Sequence, residues 1–550
     1  MRFPHFIRKL KSERTKGNLN RFVQHKNRRY SLKTSVFRYI FFIIVIVLVG
    51  ISIYVLYKDS KKTPIEIKNS KTELNIEGEI NIGITGFDTI NPLTSKNRDV
   101  QYIDKLIFQS LLDISYDYKI ENLLAEEFSK INSTTYIVKL KDDIYWHDGT
   151  QFTAQDVIFT IKNLQDIKID SIYKDNVSKI KNVEQIDKYT VKIILTEETP
   201  FFEYKMCFPI LASHSYEEGT LNSKSRIPIG TGKYKIDNIE ENTIVLIKNE
   251  NKDSKIKKIR VILKDSVKDL YNALTKDEID YMITDNTEYA EYIGTMGYNA
   301  KQSANREYEY MCLNNENKIL SDKEIRKAIN YAIDKKSINY NVYNNKYIIS
   351  NFPLDCGNYL YNQEVIYEYD INKAKQILRD NGWNYINNCW KKKNNKLEFT
   401  LIVNESNKRR VLLAEEIKKQ LQEIGIKISI IKVNDNNYNN YIKNKRYDII
   451  LTGNIVANYP DLQNYFGDGN LSNFTNKEAI EILKDIKNIN DEKIMESKYS
   501  RLTEIYKEEE PFISLYFNSL FVLTRTNLKG DLSFNWYNLF YNIDNWYKIK

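Results

Sequence analysis

Histidine is scarce in this chain: it stands only at positions 5, 25, 147 and 214. One of the four lies beside an aspartate in "YWHDGT", Tyr145 to Thr150, and an imidazole next to a carboxylate could serve acid/base chemistry. Such use requires His147 to meet a nucleophile or metal and to be oriented by a carboxylate. Asp148 is badly placed for that, because neighbours on an extended chain point to opposite faces. No GxSxG, HExxH or P-loop is present to supply the rest of a catalytic set. The same residues make better sense as a turn: Asp-Gly tolerates positive φ. Thr153 with Asp156 then forms a capping box, and Val157, Ile161 and Leu164 make the buried stripe of the helix it opens.

The elements around this turn belong to a long, folded chain. At 550 residues with 42% hydrophobic content, more than one core is expected. The net charge of +9 would suggest a nucleic-acid partner if it were spread over the chain, but residues 1–38 hold twelve Lys/Arg against Glu13 alone. The chain beyond Arg38 nets −2 and has no footprint for a phosphate backbone. Residues 39–57, "YIFFIIVIVLVGISIYVLY", are uncharged and, at about 1.5 Å per residue, match the ~30 Å apolar thickness of a bilayer. A cleavable signal peptide is the competing reading. The apolar run exceeds a usual h-region, and no small-x-small site comes after it. The expected organisation is a basic cytoplasmic tail (1–38), a transmembrane helix (39–57), a stalk (58–78) and an extracytoplasmic body in a single-pass cell-membrane protein.

Cys207, Cys312, Cys356 and Cys389 are widely spaced and form no zinc-type cluster. A Cys356–Cys389 disulfide and free buried thiols both remain open at this level. No cofactor or metal is expected. Strands are expected over 79–86, 135–140, 189–195, 243–249 and 257–264, with a helical period over 100–112. In "SDKEIRKAINYAID" (321–334), Ser321 and Glu324 read as a capping box. Residues 397–403, 410–424 and 426–433 read as a β-α-β unit that demands a parallel sheet, joined by a strand at 447–453.

"LKDDIYWHDGTQFTAQDVIFTI" resembles the signature of the family 5 extracellular solute-binding proteins, the oligopeptide- and dipeptide-binding components of ABC transporters. Further similar stretches occur in order: "NPL" (91–93), "PIGTGKYK" (228–235), "ALTKDEIDYM" (273–282), "YDINKAKQILRDNGW" (369–383) and "PFISLYF" (511–517). The resemblance implies an α/β, bilobed, periplasmic-binding-protein-like (type II) fold with an inserted small domain. Its parts fall at 79–120, 216–310 and 521–550 for lobe I, 121–215 for the small domain and 311–520 for lobe II. It also implies a non-enzymatic, monomeric receptor that closes on a peptide or peptide-like solute and hands it to permease and ATPase subunits. A surface sensor with the same fold is the alternative; a hydrolase using His147 is a remote one.

In peptide-binding relatives the resemblance places an aspartate for the peptide's α-amino group in the loop matching "NIVANYPDLQNYF" (454–466). Asn458 stands at that position, so no carboxylate is there to neutralise an ammonium. The expected ligand-binding residues are Asn454, Val456, Ala457, Asn458 and Asp461 in this loop, with Lys96, Asn97 and Arg98 after "NPL". The alternatives are that Asp461 caps the next turn and that Lys96 and Arg98 are solvated charges. Together these residues favour a ligand with an anionic or neutral end over a standard free-amine peptide.

Overall fold

The computed structural model describes residues 76–550 except 218–219, 222–226, 251, 295, 365–367 and 490. The expected tail, transmembrane segment 39–57 and nearly all of the stalk lie outside the described residues. Among the described residues no helix is long and apolar enough to cross a membrane.

Two long antiparallel strands, Tyr298–Leu313 and Phe512–Arg525, organise the body. Residues Phe512–Phe517 are buried without alternation, as in a strand covered on both faces. At one end, Ile449–Ile455 pairs with residues 307–313 of the first long strand. It continues in parallel to Glu398–Asn404 and Lys427–Val433, connected by the helix Lys408–Glu423, which buries Leu413, Ala414, Ile417 and Leu421. At the other end, Tyr281–Thr284 pairs with residues 521–524 of the second long strand. Beyond it lie Glu79–Ile84, Lys258–Leu263, Thr243–Lys248 and Tyr234–Ile239. One eleven-stranded sheet thus runs through two α/β halves, with the two long strands passing between them.

These crossing strands lose register between the halves. Ala304 pairs with Ser519 and Tyr308 with Phe517, so residues 305–307 stand opposite Asn518 alone. An excess of residues on one strand bends it and re-aims its side chains. A separate four-stranded antiparallel sheet, Ala125–Asn132, Thr135–Leu140, Thr190–Leu195 and Ile180–Asp187, packs against the helix Ala154–Gln165.

Several local expectations are corrected. The helix expected over 100–112 is Arg98–Ile107: Phe108 turns extended, and the Ile107 carbonyl accepts from Gly232 N–H. Leu111 is buried, but outside the helix. The cap of the helix Lys323–Tyr331 is Asp322, whose side chain accepts from Glu324 N–H; Ser321 lies one residue too early. Of the two alternatives left open for the cysteines, all four are free thiols, with Cys207 and Cys312 buried and Cys356 exposed. The Thr153/Asp156 capping box and the buried stripe Val157, Ile161 and Leu164 are present as expected.

Candidate functional site

In "YWHDGT", Gly149 adopts φ +88° and Asp148 accepts from Thr150 N–H at 2.9 Å, which makes the tight turn. Asp148 bonds His214 at 2.8 Å and not its own neighbour. His147 accepts from Gly230 N–H at Nδ1 (3.2 Å) and bonds the Gly232 carbonyl through Nε2 (3.1 Å). That pattern requires the neutral imidazole with its proton on Nε2. Burial pulls its pKa from 6.5 to about 4. A Cβ on Gly230 or Gly232 would collide with the Ile107 carbonyl, so this glycine loop can lie directly on the helix end. His147 therefore ties the turn to the 228–235 loop, with both ring nitrogens engaged by backbone groups.

A second convergence lies where the crossing strands lose register. Asn97 caps the helix Arg98–Ile107 by accepting from the N–H groups of Asp99 and Val100. That start projects Arg98 toward the break, where one terminal nitrogen donates to Asn305 Oδ1 at 3.2 Å. Arg98 Nε donates to the Tyr102 hydroxyl at 2.9 Å. The next strand residue, Arg306, donates from Nε to the Val456 carbonyl at 2.7 Å, while its own carbonyl accepts from Val456 N–H. The Arg306 guanidinium lies 4.9 Å from the Trp536 ring centre, and the Tyr102 hydroxyl bonds the Trp536 carbonyl. Burial, then the positive charge of Arg98, lowers the pKa of Arg306.

The structure thus brings Arg98 and Val456 to adjacent residues of the strand break, Asn305 and Arg306, while Asn97 is spent on capping its own helix. Lys96 pairs instead with Asp170 on the surface. Asn454 accepts from the Tyr465 hydroxyl at 3.0 Å, and Asp461 accepts from Gln463 N–H at 2.8 Å, capping the next turn. Ala457 and Asn458 are half-buried in the same loop. Sequence reasoning missed Asn305, Arg306, Tyr102 and Trp536. Arg306 opens the alternating run "REYEYMCL" and Trp536 is one of only five tryptophans, but neither signal indicates what the side chain meets.

Beside this loop, a cavity of about 320 Å³ lies between the end of the four-stranded sheet and residues Tyr359, Pro460 and Met495. Phe201, Tyr204, Tyr359, Pro460, Lys119 and Glu203 are among its walls, and burial raises the pKa of the Glu203 carboxyl. The two sides touch around it: Lys119 pairs with Glu492, Tyr118 donates to Asp355 at 2.7 Å, and Phe201 stacks on Tyr459 at 5.5 Å.

The family "Bacterial extracellular solute-binding proteins, family 5 Middle" matches residues 119–476. The chain belongs to this family. Among its curated family 5 relatives is the oligopeptide-binding protein AppA of Bacillus subtilis, 24% identical over 531 residues that cover 89% of this chain and 95% of AppA. Of the solved structures, HbpA2 from Haemophilus parasuis matches with a TM-score of 0.72 at 19% identity, over 86% of this chain and 100% of its own. NikZ from Campylobacter jejuni, in complex with Ni(L-His), matches at 0.56 and 24% over 86% and 99%. These similarities show the bilobed α/β fold. Curated family 5 relatives of this chain are solute-binding proteins.

Proposed function

We propose that this protein is an extracytoplasmic solute-binding protein, tethered to the cell membrane by residues 39–57 with its N-terminus in the cytoplasm. In this reading it captures a peptide or peptide-like solute between its lobes and delivers it to the permease and ATPase subunits of an ABC importer. The observation that carries the reading is the meeting of Arg98, the strand break at 305–307 and the Val456 loop, which belong to lobe I, the crossing strands and lobe II. A solute held there touches both lobes, and so favours closure to the extent that it binds the closed form more tightly than the open one.

Peptide is favoured as cargo by the relatives named for it, AppA among them. The fold by itself leaves cargo open, since NikZ was solved with a nickel–histidine complex. Asn458 supports a cargo whose amine needs no counter-charge. The test is mass spectrometry of solutes released from the purified chain, and then rebinding in thermal-shift assays. At about a hundred times Kd, the cargo should add roughly 2.7 kcal/mol of stability. No released solute and no shift with peptide mixtures would end this reading. The tether is tested separately: deletion of residues 39–57 should move the protein from the membrane fraction to the soluble fraction, and continued sedimentation with membranes would refute it.

A further inference from the structure

We infer that the cargo carries an anionic group, a carboxylate in a peptide-like solute, and that this group docks against the crossing strands between Arg98 and Arg306. The inference rests on the solute-binding reading and adds to it the place and charge of the recognised end.

The argument begins with the donors. A guanidinium carries five N–H bonds and no acceptor. Arg306 uses Nε on the Val456 carbonyl, and its two terminal nitrogens have no protein acceptor among the described residues. Arg98 uses Nε on Tyr102 and one terminal nitrogen on Asn305, which leaves the other. Neither arginine has a carboxylate partner among the described residues. The acids beside them in sequence are engaged elsewhere: Asp99 accepts from Thr85, and Glu307 pairs with Asn518.

Arg306 is half-buried beside the exposed Arg98; the two like charges repel, and the partial desolvation of Arg306 strengthens the repulsion. The protein keeps them together through Asn305, which accepts from Arg98, and through the aromatic faces of Tyr102 and Trp536 beneath the two guanidiniums. An anion bonded to both would turn this repulsion into two charge-assisted contacts. Arg98 stands on the helix Arg98–Ile107 and Arg306 on the crossing strand fastened to the Val456 loop, so the same anion would tie that helix to the strand and, through it, to the loop.

The experiment uses the full chain in detergent and an equimolar tripeptide mixture in two forms, free acid and C-terminal amide, with binding read by competition and mass spectrometry. Free acids should bind, and amides should bind roughly ten- to a hundredfold more weakly, the range expected for loss of a charge-assisted contact. Arg306→Gln should weaken acid binding to the amide level. Arg98→Gln, at an exposed side chain, should act in the same direction and decides the matter if Arg306→Gln does not fold. Equal binding of acids and amides, or an acid preference that survives both substitutions, would overturn the anion site while leaving the solute-binding reading intact. If neither form binds the unaltered protein, the peptide reading itself fails, and this inference falls with it.

Discussion

Two arginines meet the same crossing strand in opposite circumstances. Arg410 reaches Glu309 with two hydrogen bonds, Nε to Oε2 at 2.9 Å and a terminal nitrogen to Oε1 at 2.7 Å, and their side chains are 12% and 14% exposed. Three residues earlier on the strand, Arg306 has a carbonyl, an aromatic face and a like-charged neighbour, but no carboxylate among the described residues. The first guanidinium is completed by the protein. The second is left open where the strands lose register, and a charge that folding does not neutralise is one that a ligand can.

Breaking the completed pair should have the largest effect. Arg410→Gln leaves Glu309 buried, where burial already raises its carboxyl pKa, and should cost about 3 kcal/mol of unfolding free energy in urea titrations. Replacing both residues with methionine should recover much of that loss, because no unpaired charge then remains. His147 offers a second completed group. Its folded pKa of about 4 lies below the ordinary 6.5, so the folded state binds fewer protons between those values. Its contribution is fully present above about pH 6.5 and is lost as pH falls toward 4. Unfolding measured at both ends should show a loss of roughly 2 kcal/mol from this group, allowing for its partial exposure, and His147→Gln should flatten that limb.

The open site should respond in the other sense. Arg306→Gln should change unfolding free energy by about 1 kcal/mol or less, since the lost hydrogen bond and ring contact are offset by relief of repulsion with Arg98. A loss as large as that for Arg410→Gln would remove the distinction between the two arginines. The smallest effect belongs to Lys96→Gln: its ion pair with Asp170 is largely exposed, so stability should move by about 0.5 kcal/mol or less. Equilibrium unfolding on the same preparations checks both values.

Much of the fold was legible because its signals are local. The Asp148-Gly149 turn, the Thr153/Asp156 box and the 398–433 β-α-β unit each depend on residues a few positions apart or on one run of periodicity. The departures from expectation arise where distant segments intervene. Helix 98–107 stops where a remote glycine loop takes its last carbonyl, and no periodicity within 100–112 records that. Of the expected ligand residues, Arg98 and Val456 meet at the strand break, whereas Lys96 and Asp461 are drawn to Asp170 and to a neighbouring backbone N–H.

The sequence by itself determined which segments become helix, strand and turn and, through the ordered motifs, which family the chain belongs to. Only the tertiary structure decided which polar groups are satisfied. Asp148 finds His214, 66 residues away, in place of the adjacent His147, and Arg98 finds Asn305 across 207 residues. Such pairings are set by sheet register and by the bulge at 305–307. Side-chain hydrogen bonds act only over about 3 Å, so long-range partners are chosen by where the backbone has already been placed.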